Sequence, residues 1–128
     1  MAERSDMSRW ILATAGALIA LATICGAFGA HALQARLSPE RLEVYDIAVR
    51  YHFFHALGLL AIGLLARGSE SSLLRTAAVL VIAGIVLFSG SIYALSFNVP
   101  RVLGIVTPVG GLALIAGWIV FVVAVVKR

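Results

Sequence analysis

Apolar residues fall along this chain in four long runs separated by short polar stretches. The first runs from Trp10 to about Leu33 with no charge inside it. The second runs from about Val49 to Ala66, with Arg50 at its start, the third from about Thr76 to Phe97, and the fourth from about Val102 to Val126 before Lys127-Arg128. About 20 apolar residues in a helix cover the hydrocarbon core of a bilayer. The runs are too long for membrane strands and do not alternate polar with apolar. The pattern therefore predicts an all-α fold: an integral membrane bundle of four transmembrane helices within a single domain, residues 1–128.

The punctuation between the runs adds detail. Ser38-Pro39-Glu40 reads as an N-cap followed by proline at the first helical position. Leu42, Tyr45, Val49, His52, Ala56, Leu59 and Gly63 then recur at spacings of three and four. This predicts an amphipathic helix from about Pro39, interfacial at first, that leads into the second span with a kink near Arg50. Tyr45 and Tyr51 are expected as interfacial anchors. Asp46 and Arg50, four apart, are placed to pair. Pro108 suits a first helical turn, so the fourth helix is expected to begin properly near Thr107, with Val102 to Val106 as a loop or partly inserted turn.

Small residues mark the faces where helices approach closely. Ala13, Gly16, Ala20, Thr23, Ala27 and Ala30 form one continuous stripe on the first span. Packing inside the bundle is the default expectation for it, and a homo-oligomer seam the alternative. Gly84, Gly90, Gly104, Gly110, Gly111 and Gly117 suggest close packing of the third and fourth spans.

Composition narrows the class further. Of the 128 residues, 62% are hydrophobic and 12% charged, against about a quarter charged in soluble domains. Membrane lipids are the implied surroundings. The net charge is +4, but the basic residues sit at the ends of apolar runs rather than in a stripe, which argues for surface anchoring and against nucleic acid. Arg4, Arg9, Arg67, Arg75, Lys127 and Arg128 share one side of a four-span topology, and Arg36, Arg41, Arg50 and Arg101 the other. The excess favours cytoplasmic N and C termini. A secretory signal ending at Ala30-His31-Ala32 fits less well, because the preceding apolar stretch is longer than a signal core. The single cysteine, Cys25, lies inside an apolar run and reads as a packed thiol.

The candidate chemistry lies toward one membrane face. His31 ends the first span, His52 and His55 open the second one turn apart, Ser89, Ser91 and Tyr93 lie late in the third, and Thr107 opens the fourth, with Arg50 alongside. Ionisable groups within a span usually face the bundle interior. His52 and His55 at i, i+3 are spaced to face one metal ion, with His31 as a third ligand. The plainer expectation is hydrogen bonding that ties the helix ends together. No nucleophile–histidine–acid arrangement is supported, so no enzymatic activity and no catalytic residues are expected, and no cofactor is assigned. The leading reading is a structural, scaffolding or lipid-interacting bundle. The alternatives are a binder of a metal, haem or quinone-like ligand at His31, His52 and His55, and a small oligomeric transporter. No Asp or Glu lies inside any of the four runs, which weakens the last.

Several segments in order carry a resemblance. Gly26-Ala27-Phe28-Gly29-Ala30-His31-Ala32-Leu33, Tyr45-Asp46 with Ala48-Val49-Arg50-Tyr51-His52 and His55-Ala56-Leu57, Phe88-Ser89-Gly90-Ser91-Ile92-Tyr93, Thr107-Pro108-Val109-Gly110-Gly111 and Gly117-Trp118 are similar to the domain of unknown function 423 family of small YgdD/YwdK-like inner-membrane proteins. The resemblance implies a small inner-membrane protein and carries no catalytic residues.

Overall fold

A computed structural model describes residues 2–128, with side chains from Asp6 onward. Helix α1 spans Ala2–His31, and a 3-10 turn, Leu33–Ala35, follows. Helix α2 spans Pro39–Leu65. The third span is built from α3, Ser72–Gly84, a π-helical turn at Ile85–Ser89 and α4, Gly90–Leu95. A 3-10 turn, Arg101–Ile105, leads into α5, Val106–Val126. Four helical stretches, Asp6–His31, Pro39–Leu65, Ser72–Leu95 and Arg101–Val126, are long and apolar enough to cross a membrane. No strand occurs among the described residues.

The caps follow local chemistry. The Ser38 hydroxyl accepts a hydrogen bond from the Arg41 N–H at 3.3 Å, with Pro39 at the first helical position. Ser71 does the same for Leu74 at 3.2 Å. Each supplies one of the acceptors that helix N-termini lack. Helix α2 then runs through Arg50 without a break, so the interfacial stretch and the second span are one continuous helix, as expected. Arg50 and Asp46 pair along its outer face at 2.6 Å, both side chains more than half exposed. The fourth α-helix starts at Val106, one residue before Thr107, behind a 3-10 turn.

The spans lie in chain order. Helix α1 packs on α2, α2 meets the third span along the centre, and α5 packs on the third span. Leu59, Ile62, Leu74, Val81 and Ile85 are buried where these surfaces meet. The outside is apolar as well: Ile24, Phe54, Val102 and Leu112 are each 64–66% exposed. Such a surface suits hydrocarbon and not water.

Close approach concentrates between the third span and α5. A Cβ on Gly110 would collide with the backbone of Leu87 and Phe88. The contact falls on the wide π turn, a feature with no sequence forerunner here. Gly84 and Gly117 likewise lie against side chains of the facing helix, whereas Gly90 and Gly104 have nothing within 4 Å, so only part of the glycine pattern reflects packing.

The α1 stripe differs from its default expectation. Ala13, Gly16, Ala20, Thr23, Ala27 and Ala30 are all exposed. The buried face of α1 carries Met7, Ile11, Ala15 and Ala22 instead. The bulk on that face comes from Met7 and Ile11, and Ile11 lies against Gly63 of α2.

Replacing Gly110 by alanine will destabilise the bundle by about 1–3 kcal/mol, the usual cost of overpacking. Gly90→Ala, into open space, will leave it unchanged. Unfolding midpoints in detergent micelles check the contrast.

Candidate functional site

Helices α2, α4 and α5 position most of the polar side chains, in three separate pairings. The first joins α2 to α4. His52, 2% exposed, bonds through Nδ1 to the Tyr93 hydroxyl at 2.9 Å. The Tyr93 ring lies edge-on to Tyr45, centroids 5.3 Å apart. The Tyr45 hydroxyl donates to the Cys25 carbonyl of α1 at 2.6 Å. Tyr45 is therefore a buried bridge between α1 and α2, and not the interfacial anchor its position suggests. It fits because Gly29 offers a bare backbone: a Cβ there would meet the Tyr45 ring.

The second pairing joins α2 to α5. The Trp118 indole N–H donates to His55 Nδ1 at 3.0 Å. The indole lies over Gly58, where any Cβ would strike it. The third ties the end of the third span to the start of α5: the Ser91 and Thr107 hydroxyls bond each other, and Ser91 Oγ also donates to the Phe88 carbonyl at 3.0 Å. Serine in a membrane helix commonly bonds back along its own helix, and here the bond falls just beyond the π turn. Turns of that kind recur at functional positions.

The remaining candidates stand apart. His31 is exposed at the end of α1, and Arg50 is turned out to pair with Asp46. Among the described residues, no three His, Cys, Asp or Glu side chains are grouped to hold a metal ion. His52 and His55 sit one turn apart but engage different helices, α4 and α5. Ser89 is 1% exposed, and its hydroxyl, like His52 Nε2, has no hydrogen-bond partner among the described residues.

The structure adds Trp118 and Tyr45 to the polar set. Trp118 had a readable signal: tryptophan favours the ends of spans, and this one lies well inside the fourth. Tyr45 had none, because its position on α2 looks interfacial until α1 is laid against it.

These bonds hold helices together in a medium that offers no other partners. Tyr93→Phe leaves His52 Nδ1 buried without its partner and will destabilise the protein by about 1–3 kcal/mol. In a double-mutant cycle with His52→Ala the coupling will be about 0.6–1.7 kcal/mol, typical of polar pairs between membrane helices. Unfolding equilibria in bicelles give both values.

The comparisons with known proteins agree with this architecture. A family profile described as "Protein of unknown function (DUF423)" matches residues 25–111, a region that contains Tyr45, His52, His55, Ser91, Tyr93 and Thr107. The UPF0382 membrane protein YwdK of Bacillus subtilis is 47% identical over 118 residues, covering 91% of this chain and 94% of its own. A UPF0382 membrane protein of Staphylococcus epidermidis is 44% identical, covering 91% and 93%, and one of Staphylococcus aureus is 43% identical with the same coverage. No solved structure matches. By the profile match and by its likeness to these relatives, the chain belongs to the DUF423 family of membrane proteins of unknown function.

Proposed function

We propose that the protein is a non-enzymatic scaffold of the bacterial inner (cytoplasmic) membrane, in contact with membrane lipids, that associates with a second copy of itself through the outward face of α1. The observation that carries this reading is the exposure of all six small residues of the α1 stripe. Helices in lipid gain little from hydrophobic burial, because the lipid tails are equally apolar. They associate where small side chains let backbones approach and make many van der Waals contacts. On α1 that surface faces away from the helix's own bundle.

The polar pairings support a structural use of the buried groups. His52–Tyr93, Tyr45–Cys25, His55–Trp118 and Ser91–Thr107 each connect two different spans or their ends. Each is a cross-link that fixes one helix against another.

Cysteine cross-linking in membranes tests the association. In a Cys25→Ala background, Ala20→Cys will form a disulfide-linked dimer on mild oxidation. Leu21→Cys, on the bulkier exposed flank of α1, will remain monomeric. Equal cross-linking at both positions, or none at Ala20→Cys, refutes the seam.

Orientation rests on charge. Six basic residues, Arg4, Arg9, Arg67, Arg75, Lys127 and Arg128, lie on the side of the termini, and four, Arg36, Arg41, Arg50 and Arg101, on the other. Cytoplasmic segments are enriched in Lys and Arg. With both termini inside, alkaline phosphatase fused after Arg128 will be inactive and a fluorescent protein fused there will fluoresce. The reverse pair of results overturns the orientation.

A further inference from the structure

A groove of about 600 Å³ opens on the side of the bundle away from α1, between α2, the third span and α5. Its walls include Tyr51, His55, Phe88, Gly111, Ile115 and Trp118. The volume lies within the range of small-molecule sites. The rings form a continuous surface: Tyr51 and Phe88 have centroids 5.0 Å apart, Tyr51 stacks on His55 at 6.0 Å, and His55 lies 6.1 Å from Trp118.

Among the wall residues, the hydrogen-bonding direction of His55 is fixed by Trp118. An indole N–H can only donate. His55 Nδ1, which receives it at 3.0 Å, must therefore be the bare nitrogen, and the ring proton sits on Nε2. Among the described residues Nε2 has no hydrogen-bond partner, and it is not one of the fully enclosed atoms. His55 lines the groove, so this donor is open to a ligand there.

The depth of this donor selects its acceptor. At about 1.5 Å per residue, His55 lies about 7 Å along α2 from Arg50, the charge at the start of the second span, and about 15 Å from the helix end at Leu65. On α5, which has 21 residues, Trp118 is within about 3 Å of the midpoint by the same rise. Both helices place the pair inside the apolar span, more than one turn from its charged ends. Phospholipid ester carbonyls lie at the edges of the core, beyond hydrogen-bond reach of this depth, and acyl chains carry no acceptor. An unsatisfied N–H in hydrocarbon is costly. The matching acceptor is a carbonyl on a molecule dissolved wholly in the membrane, and the aromatic walls suit a flat ring.

We propose that this groove binds a lipid-soluble quinone, one ring carbonyl accepting from His55 Nε2 and the ring packing against Tyr51, Phe88 and Trp118, with its tail running out along Ile115. A metal or haem iron is disfavoured at the same nitrogen. Ligation through Nε2 would move the proton to Nδ1, where it would oppose the Trp118 N–H.

Trp118 itself is the reporter. The chain has two tryptophans, so Trp10→Phe leaves one, placed in quinone-free phosphatidylglycerol nanodiscs. Titration with decylubiquinone will quench its fluorescence saturably. Decylbenzene, with the same tail and no carbonyl, will neither quench saturably nor compete. Gly111→Leu adds bulk to the groove wall and leaves the His55 donor in the chain, and a Cβ there meets the Phe88 ring only at an ordinary 3.6 Å. His55→Phe keeps a ring and removes the donor. Each will weaken the quinone about tenfold, the loss of one hydrogen bond or of its equivalent in packing in an apolar site. Quenching that stays linear in quinone, saturation unaltered in Gly111→Leu, or competition by decylbenzene overturns the proposal. If His55→Phe does not fold, the Gly111→Leu and decylbenzene arms still decide it.

Discussion

Hydrocarbon offers a polar group no solvent to fall back on, and this structure is organised around that constraint. Backbone groups meet it by forming helices, the only open-chain solution in a bilayer. Side chains within the spans meet it by bonding back along their own helix, as Thr23 and Ser96 do, or by reaching another. Tyr45 reaches a carbonyl of α1, His52 reaches Tyr93 on α4, and Trp118 on α5 reaches His55. The polar residues are thus the fastenings of the bundle, and the apolar contacts fill the space between them.

The same constraint separates His52 from His55. Both lie on α2, one turn apart, with ring nitrogens of identical intrinsic chemistry. His52 is enclosed, and its partner is a hydroxyl that both donates and accepts, so Nδ1 is satisfied in either tautomer. His55 is bound by a group that only donates, which sets its tautomer and leaves the remaining proton on Nε2. A one-turn step along one helix turns a structural histidine into one that presents a defined donor to the membrane.

The fold was readable from the sequence because length and apolar composition are long-range averages, insensitive to details of packing. The Ser38-Pro39 start of α2 and the start of the fourth helix near Thr107 were readable too, since caps and proline act locally. What could not be read depends on which helix faces which. The α1 stripe has the right spacing for close packing but points outward, because Ile11, Ala15 and Ala22 on the opposite side meet α2. The polar residues were legible as a set but not as pairs: His31 and Arg50 were grouped with the rest by depth, although they project away from the bundle. Trp118 was overlooked because a tryptophan in an apolar run resembles ordinary packing until its N–H needs an acceptor. The π turn at Ile85–Ser89 left no mark in the spacing of residues around it.

The order of helices also bears on how the chain assembles. Each outer helix packs on a neighbour in sequence, α1 on α2 and α5 on the third span. The protein is in effect two helical hairpins joined along α2 and the third span. Contacts between sequence neighbours form with little loss of loop entropy and favour fast folding. The first hairpin can close as soon as α2 has entered the bilayer, with the Tyr45–Cys25 bond as its clasp, while the second half of the chain is still being synthesised.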